Sequence, residues 1–250
     1  MIVNRDEKRG RATSFAEVAD AYERARPGYP DDAVRWLVGE RPCDVVDLGA
    51  GTGKLTRTLV ALGHRVTAVE PLPEMLAHLR SAVPEAAPFE GTAESIPLPD
   101  GSVDVVACAQ AFHWFDHPEA LPEIARVLRP GGHLALVWNV RDDRDPCVAQ
   151  LSDVIGRETV DADDAEESLL VESGLFTDVE TAEFSFAQAL DRDTLRALVL
   201  SRSYCAVLPA EERAPVFAAV DRVFDEHAAD GTIELPYVTV CYRATRLASA

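Results

Sequence analysis

The 250-residue sequence lacks the features that mark membrane, disulfide-rich or repeat proteins. It contains no run of about 18 apolar residues, so no membrane span is expected. Its five cysteines are odd in number and form no C-x-x-C pair, which predicts reduced thiols in a cytoplasmic protein. Neither an internal repeat nor a low-complexity segment is found, which excludes a repeat architecture.

Positive charge is scarce as well. The chain has 24 Lys and Arg residues against 43 Asp and Glu residues, which gives a formal net charge of −19. Because so acidic a protein repels phosphate backbones and anionic lipid, neither a nucleic acid nor a membrane is expected as a partner. The acidity is no evidence for a cationic substrate, since acidic surfaces commonly serve solubility. Apolar residues make up 47% of the chain, as in ordinary globular domains.

A glycine-rich turn between an apolar strand and a helix is the most informative feature that is present. Gly49, Gly51 and Gly53 follow the predicted strand at residues 44–48 and precede a helix that begins near Lys54. Glycine allows a sharp turn and the close approach of a ligand, and a helix N-terminus favours nucleotide-like groups. The turn therefore predicts a nucleotide-type ligand.

The spacing of the glycines discriminates between such ligands. It is G-x-G-x-G and not the G-x-G-x-x-G of dinucleotide sites, which disfavours an NAD-type oxidoreductase. Lys54 is followed by Leu55 instead of Ser or Thr, so the P-loop pattern also fails. A second predicted strand ends in Glu70, whose carboxylate suits ribose hydroxyls. An ordinary strand-end acid is the alternative for Glu70, and likewise for Asp47.

Several motifs in order resemble those of the class I S-adenosylmethionine (SAM)-dependent methyltransferases. The first motif, the ribose-binding acid, the adenine-side loop, the fourth strand and the approach to the fifth strand have counterparts here. These counterparts are residues 47–53, Glu70, residues 91–97, residues 103–106 with Gln110, and residues 126–132. A narrower resemblance, to trans-aconitate methyltransferase-like small-molecule enzymes, depends on residues 22–30, 112–115 and 201–204.

Alternating strands and helices predict a doubly wound α/β fold. The resemblance implies a mostly parallel seven-stranded sheet of the Rossmann-like class I methyltransferase type, with an N-terminal helical lid and a C-terminal helical insertion. A disordered N-terminus is expected at residues 1–12, an acidic solvated linker at 161–167, and one methyltransferase domain over 13–250. The parts expected in this domain are lid helices at 13–40, a SAM-binding core at 41–140, and C-terminal strands with lid and acceptor helices at 141–250.

The resemblance implies SAM as the cofactor, bound after the ends of the strands. Asp47 would organise the glycine turn, Glu94 and the Ala93 amide would meet adenine, and Gln110 would bind the polar groups of methionine. The implied cofactor residues are Asp47, Gly49, Ala50, Gly51, Gly53, Glu70, Pro71, Leu72, Ala93, Glu94, Gln110, Tyr22 and Arg26. Structural roles stay open, namely a surface acid at Glu94, core packing at Leu72 and a polar strand end at Gln110.

His113 and Trp114 are the candidate catalytic residues. They follow the fourth strand, where an open α/β sheet places its ligand crevice. An imidazole can accept a proton from the methyl acceptor, and an indole can wall the acceptor pocket. A packed loop histidine is the alternative for His113. The i, i+4 pair of His113 and His117 has no evident third ligand, so no metal site is expected.

The predicted lid carries Tyr22, Arg26 and Tyr29. Arg26 suits the carboxylate of SAM or of an acidic substrate, because a guanidinium binds carboxylates in a fork. Pinning the two lid helices together is the alternative role. A second polar-aromatic cluster with the same two possible roles comprises Arg202, Ser203 and Tyr204.

Together these features predict a SAM-dependent methyltransferase that acts on a small-molecule acceptor, with a carboxylic acid or a hydroxyl as candidate groups. A catalytic base is not required, because aligning an acceptor with an already activated methyl group can suffice. The protein is expected to be cytoplasmic and a monomer or homodimer. The alternatives are a non-catalytic protein that binds SAM or S-adenosylhomocysteine on the same fold, and the disfavoured NAD-type oxidoreductase.

Overall fold

A computed structural model describes Glu23, residues 25–156, 165–177 and 179–201, Cys205, and residues 208–248. The expected disordered N-terminus at 1–12, Tyr22, and the cluster of Arg202, Ser203 and Tyr204 lie outside the described residues. What was expected of them therefore stays a prediction. Within the described part of the chain, no helix is both long enough and apolar enough to cross a membrane.

Seven strands form one sheet in the order β3-β2-β1-β4-β5-β7-β6. From β3 to β5, each neighbouring pair is parallel. The strands are β1 Asp44–Leu48, β2 Arg65–Glu70, β3 Ala87–Glu90, β4 Val103–Ala109, β5 Leu128–Arg141, β6 Glu180–Leu190 and β7 Ile233–Thr245. This order and the helices between the strands confirm the predicted doubly wound, mostly parallel α/β fold.

Eight α-helices lie within the described residues, together with a short 3₁₀ helix at Phe112–Trp114. The helices are α1 Asp31–Val38, α2 Lys54–Ala61, α3 Pro73–Ala82, α4 His117–Val127, α5 Pro146–Ile155, α6 Ala165–Glu172, α7 Arg192–Leu200 and α8 Ala210–His227. Helices α7 and α8 come between β6 and β7 in the chain, where the resemblance implied a C-terminal helical insertion.

The chain divides into two compact units, each with its own apolar core. The first unit comprises the described residues within 1–27, 140–158 and 185–238, and the second those within 28–139, 159–184 and 239–250. In the first, side chains of α5, α7 and α8 such as Leu151, Leu195 and Val220 pack together. In the second, Val45 and Val105 of the sheet pack with Leu55 of α2. The prediction of one domain over residues 13–250 stays a prediction.

Strand β5 begins at Leu128, within the predicted approach to the fifth strand at residues 126–132, because a β-bulge lies there. Val103 pairs with Leu128, and the register then shifts so that Val105 pairs with His133. A Cβ atom on Gly132 would lie 2.6 Å from the Asp104 carbonyl oxygen, so only glycine fits this close approach. The breaker sequence around Gly132 therefore bends a strand instead of ending it.

Two helices differ from the sequence-based expectation. Helix α5 was not predicted, although Asp145 caps it by accepting hydrogen bonds from the amides of Cys147 and Val148, and Pro146 occupies its first position. Helix α6 begins at Ala165, so the expected linker at 161–167 is wrong for its last three residues.

Candidate functional site

The carboxyl ends of β1, β2, β3 and β4 meet at one edge of the sheet because these strands run parallel. Backbone hydrogen bonds join the segments that follow them. The Gly49 and Ala50 amides donate to the Val69 carbonyl at 2.8 and 3.1 Å, and the Gly91 amide donates to the Glu70 carbonyl at 3.4 Å. The structure thus brings the glycine turn, the acid that ends β2 and the predicted adenine-side loop together.

The glycine turn has three residues with positive φ, each in a different environment. Gly49 has φ +73°, and a Cβ atom there would lie 2.7 Å from the Cβ of Ala111 in the segment after β4. Gly53 has φ +91° and faces Leu79 of α3. Gly51 has φ +57° and no described atom within 4 Å of such a Cβ position. Two glycines therefore pack against protein, and Gly51 alone faces open space that a ligand can fill.

Asp47 is wholly buried beneath this turn. Its Oδ2 accepts a hydrogen bond from the Thr56 hydroxyl at 2.5 Å, while its Oδ1 has no partner among the described residues. The Thr52 hydroxyl, also buried, has no partner in that part of the chain either. Burial raises the pKa of Asp47 to about 7, with the Glu70 charge adding to the rise and hydrogen bonds from Thr56 opposing it. The turn thus has unused polar capacity.

Glu70 joins the end of β2 to the glycine turn. Its Oε2 accepts a hydrogen bond from the Gly51 amide at 2.9 Å, and its Oε1 accepts one from the Leu72 amide at 3.0 Å. Burial raises the pKa of Glu70, and the two amide hydrogen bonds oppose that rise. Pro71 is exposed and Leu72 half-buried, directly before α3. Glu70 is therefore a structural brace of the turn as well as a candidate ligand.

The adenine-side loop lies against the start of α4. Ala93 is buried, and Glu94 is half-buried with its Oε1 accepting a hydrogen bond from the Asp116 amide at 2.8 Å. Asp116 is the residue that precedes α4. One carboxylate oxygen of Glu94 is therefore engaged within the protein, and its contact with adenine stays a prediction.

Gln110 is held in a left-handed backbone conformation at the end of β4. Its φ is +57°, and its side-chain Nε2 donates to the Asn139 carbonyl oxygen at 3.0 Å. Asn139 in turn donates from Nδ2 to the Gly28 carbonyl and accepts from the Thr239 hydroxyl. A non-glycine residue in this conformation carries strain, so the surrounding contacts fix the Gln110 side chain in place.

Replacing Gln110 by glycine and by alanine tests this strain. Both variants lose the hydrogen bond to Asn139, but only glycine adopts φ +57° freely. We expect the free energy of unfolding of Gln110→Gly to be about 1 kcal/mol higher than that of Gln110→Ala. This difference already includes the greater entropy of glycine in the unfolded chain. Urea denaturation of the two variants measures the difference. An alanine variant at least as stable as the glycine variant would contradict the left-handed geometry.

His113 and Trp114 lie in the 3₁₀ helix that follows Gln110. His113 is exposed and Trp114 half-buried, with their ring centroids 4.7 Å apart. Beneath them Phe112 is wholly buried and meets the Phe115 ring edge-on. The position of His117 is set by its Nε2, which is 3.1 Å from the Phe112 carbonyl oxygen. Within the described residues, no three metal-binding side chains come together.

Comparison with known proteins identifies the family. Residues 46–136 match the family described as "Methyltransferase domain". An uncharacterised methyltransferase of Mycobacterium tuberculosis strain ATCC 25618 / H37Rv is 46% identical over 241 residues, which cover 95% of this chain and 98% of that protein. The chain belongs to the class I SAM-dependent methyltransferases.

Two further relatives show how far the likeness extends along the methyltransferase. An uncharacterised methyltransferase-like protein of Schizosaccharomyces pombe is 40% identical over 219 residues, covering 84% of this chain and 85% of its own. The solved structure of a putative type II methyltransferase from Anaeromyxobacter dehalogenans gives a TM-score of 0.65 at 28% identity, with 88% and 97% covered. None of these relatives specifies an acceptor, so the resemblance to the trans-aconitate subgroup stays a prediction.

Two residues of the predicted N-terminal lid, Arg26 and Tyr29, belong to different units of the structure. In the first unit, Arg26 Nε donates to the hydroxyl of Ser201 at 2.9 Å, and Ser201 directly precedes the cluster at 202–204. Tyr29 lies in the core of the second unit, packed with residues of α1. The structure thus gives Tyr29 a packing role and joins Arg26 to Ser201, while the role of Arg26 in binding a carboxylate stays a prediction.

The sequence did not predict several residues that contact the predicted site residues and support their positions. Thr52 and Thr56 supply buried hydroxyls at the glycine turn, and a hydroxyl residue between two glycines was the signal for Thr52. Phe115 comes close to Gly49, because its ring would lie 3.7 Å from a Cβ atom placed there. Glu123 and Arg126 of α4 contact the adenine-side loop through its backbone. That contact has no local signal, since about 30 residues separate the partners.

Proposed function

We propose that this methyltransferase binds SAM across the ends of β1, β2, β3 and β4 and methylates a small-molecule acceptor beside His113 and Trp114. The observation that carries the proposal is the unused polar capacity at the glycine turn. Asp47 Oδ1 and the Thr52 hydroxyl are buried without partners among the described residues, in the same segment as Gly51, whose Cβ position is open. Buried polar atoms are normally hydrogen-bonded, so these two fit a polar ligand at this place.

The residues present fit the parts of SAM. Asp47 and the glycine turn suit the methionine end, because a buried carboxylate attracts an ammonium group. Glu70 suits the ribose: a carboxylate accepts about four hydrogen bonds, and the amides of Gly51 and Leu72 use two. Leu72, half-buried after Glu70, suits one face of adenine.

Two more predicted cofactor residues lie at the same edge of the sheet. Ala93, with a buried side chain, offers its backbone at the adenine-side loop. Gln110 keeps a carboxamide oxygen beside the end of β4 while its nitrogen donates to Asn139. Such an oxygen can accept from the amino group of methionine, which supports its assignment to that end of the cofactor.

The chain's own contribution to the reaction is to hold and align the acceptor. SAM, when bound, supplies a methyl group on a sulfonium, which leaves the protein no need to activate it. Trp114 offers a rigid wall for an acceptor in a reactive geometry. His113, exposed beside it, can accept the proton that a hydroxyl acceptor loses.

The net charge supports a small acceptor. At −19 the protein repels nucleic acids, and a small molecule has no extended phosphate backbone to be repelled. A hydroxyl acceptor has a use for a proton-accepting His113, whereas a carboxylic acid acceptor is already ionised near neutral pH and needs only alignment. A protein that binds SAM without turnover is the rival proposal, and transfer of label decides between them.

The test uses purified protein, methyl-labelled SAM and a metabolite extract freed of macromolecules by ultrafiltration. We expect label in a small molecule identified by mass spectrometry. With that acceptor, Trp114→Ala should lower kcat/KM about 10- to 100-fold, since burying an aromatic side chain is worth about 1.5–3 kcal/mol. Its affinity for S-adenosylhomocysteine should stay within about twofold, because the indole is assigned to the acceptor.

Trp36→Ala is the matched control, since its ring lies against the Arg243 guanidinium at 4.6 Å and is assigned no role in the reaction. It should leave kcat/KM of the folded protein close to wild type. Binding of S-adenosylhomocysteine with no labelled small molecule would favour the non-catalytic alternative. Equal effects of the two tryptophan variants would place the acceptor pocket elsewhere, with the cluster at 202–204 as the next candidate.

A further inference from the structure

The adenine-side loop after β3 is closed at its base where the Gly91 backbone packs closely against two side chains. A Cβ atom on Gly91 would lie 2.8 Å from Pro97 Cδ and 3.1 Å from Val69 Cγ1, so only glycine fits between them. Ile96 is buried near the end of the loop. The loop therefore has a fixed base, but its short internal bridge between Thr92 and Ser95 does not by itself set where it lies along the sheet edge.

Two side chains of α4 hold the far side of this loop. The Arg126 guanidinium donates to the Ile96 carbonyl at 3.0 Å and to the Leu98 carbonyl at 2.8 Å. The Glu123 Oε2 accepts from the Ile96 amide at 3.1 Å. Ile96 is thus held by both its amide and its carbonyl, which leaves its peptide groups little freedom to move.

Glu123 and Arg126 also hold each other. Arg126 Nε and Nη2 each lie 2.8 Å from one oxygen of Glu123, which is a two-pronged contact, and Nη1 reaches Asp100 at 2.7 Å. The guanidinium lowers the pKa of Glu123 and thereby keeps it charged. A planar fork that serves two carbonyls and two carboxylates cannot be reproduced by a lysine ammonium.

We infer that Glu123 and Arg126 are positioning residues for adenine recognition. They fix Ile96 on one side of Ala93 and Glu94, while the hydrogen bond from the Asp116 amide fixes Glu94 on the other. The segment that would meet the adenine ring is thereby held at one end by α4 and at the other by the residue that precedes α4. This inference rests on the proposed SAM site, because neither residue is assigned a contact with the cofactor.

The test compares two ligands that differ along one edge of the base, at C6 and in the hydrogen on N1. S-Adenosylhomocysteine carries the amino group of adenine, and S-inosylhomocysteine carries an oxygen there instead. A well-placed loop rejects the second ligand, because its own polar groups would be left unpaired. The quantity compared is the dissociation constant of S-inosylhomocysteine divided by that of S-adenosylhomocysteine. Both ligands are bound by the same folded fraction, so this ratio does not change when a variant is merely less stable.

We expect Arg126→Lys to lower this ratio about five- to tenfold relative to wild type. Glu123→Gln should also lower the ratio. If Arg126→Lys does not fold, the result for Glu123→Gln alone decides. Arg129→Lys is the matched control. Arg129 likewise bonds a backbone carbonyl, that of Ser102, and two carboxylates, Asp44 and Asp104, but it does not contact the loop in the described structure. Isothermal titration calorimetry measures all the constants.

The outcomes separate the inference from the proposed function. A wild-type protein that binds neither ligand refutes the SAM site itself. A wild-type protein that binds both ligands equally, or folded Arg126→Lys and Glu123→Gln variants that keep the wild-type ratio, overturns only the positioning role. If Arg129→Lys lowers the ratio as much, the positioning role is also overturned. The effect would then come from the loss of any ion pair in the second unit.

Discussion

Affinity for S-adenosylhomocysteine is expected to rise about tenfold per pH unit below about pH 7 and to level off above it. The cause is Asp47, whose pKa burial raises to about 7. The ligand's ammonium group favours the ionised carboxylate, so protein that carries the proton must release it on binding. Below the pKa that release becomes harder with each unit, and above it no proton remains to be lost.

The unliganded protein should respond in the opposite direction. An unfolded aspartate has a pKa of about 3.9, so between about pH 4 and 7 the folded chain binds more protons at Asp47 than the unfolded chain. The free energy of unfolding therefore falls as pH rises through this window, because a charge is forced into a buried place. Ligand binding should offset that loss, since it supplies the opposite charge.

Calorimetry in two buffers of different ionisation enthalpy measures the proton release directly. Near pH 6 it should approach one proton per ligand, and Asp47→Asn should abolish both the release and the pH dependence. Glu70→Gln is the necessary comparison, because burial raises the pKa of Glu70 as well. An affinity that stays flat in wild type between pH 5.5 and 7.5 would contradict the assignment of Asp47 to the ammonium group.

Alanine at Gly49 and alanine at Gly51 should have distinct effects. Gly49→Ala combines a positive φ with a Cβ position 2.7 Å from Ala111, so it should lower the free energy of unfolding by about 2–4 kcal/mol. Gly51→Ala meets no described atom within 4 Å and should cost only about 1 kcal/mol through its backbone. Its methyl group instead occupies the space assigned to the ligand.

Gly51→Ala, the more stable of the two variants, should therefore be the one that loses more affinity for the ligand. Folded Gly51→Ala should bind S-adenosylhomocysteine about 10- to 100-fold more weakly, the size of effect that overpacking produces. Thermal unfolding and calorimetry on the same samples provide both quantities. If Gly51→Ala binds like wild type, the open face of the turn is not where the cofactor lies. If Gly49→Ala unfolds like wild type, the contact between the turn and Ala111 is not made.

Local sequence signals predicted the part of the site that local geometry determines. Strand β1 has the predicted bounds, residues 44–48, and the turn at Gly49 to Gly53 follows from glycine spacing. Because parallel strands align their carboxyl ends, Glu70 and Gln110 could be assigned to the same edge before any coordinates were known. These inferences need only neighbours in the chain and one rule of topology.

Features that depend on distant partners could not be predicted in this way. The left-handed conformation of Gln110 depends on its bond to Asn139, 29 residues away. The Asp116 amide donates a hydrogen bond to Glu94, and Arg126 donates one to the backbone of the loop. Each bond joins segments that are far apart in the sequence, so no local pattern predicts it. The bulge near Gly132 reads as a turn, because Pro and Gly signal a break but not whether pairing resumes beyond it.

The double engagement of Glu70 has a consequence for how such a chain can change over time. The oxygens assigned to the ribose are the ones that accept the Gly51 and Leu72 amides. A substitution there removes the cofactor contact and the support of the turn in a single event. Descendants that abandon methyl transfer therefore remain under pressure to keep this acid for folding alone, so its presence in a relative is weak evidence of activity. Asp47, with one oxygen that no described residue bonds, is the more telling position.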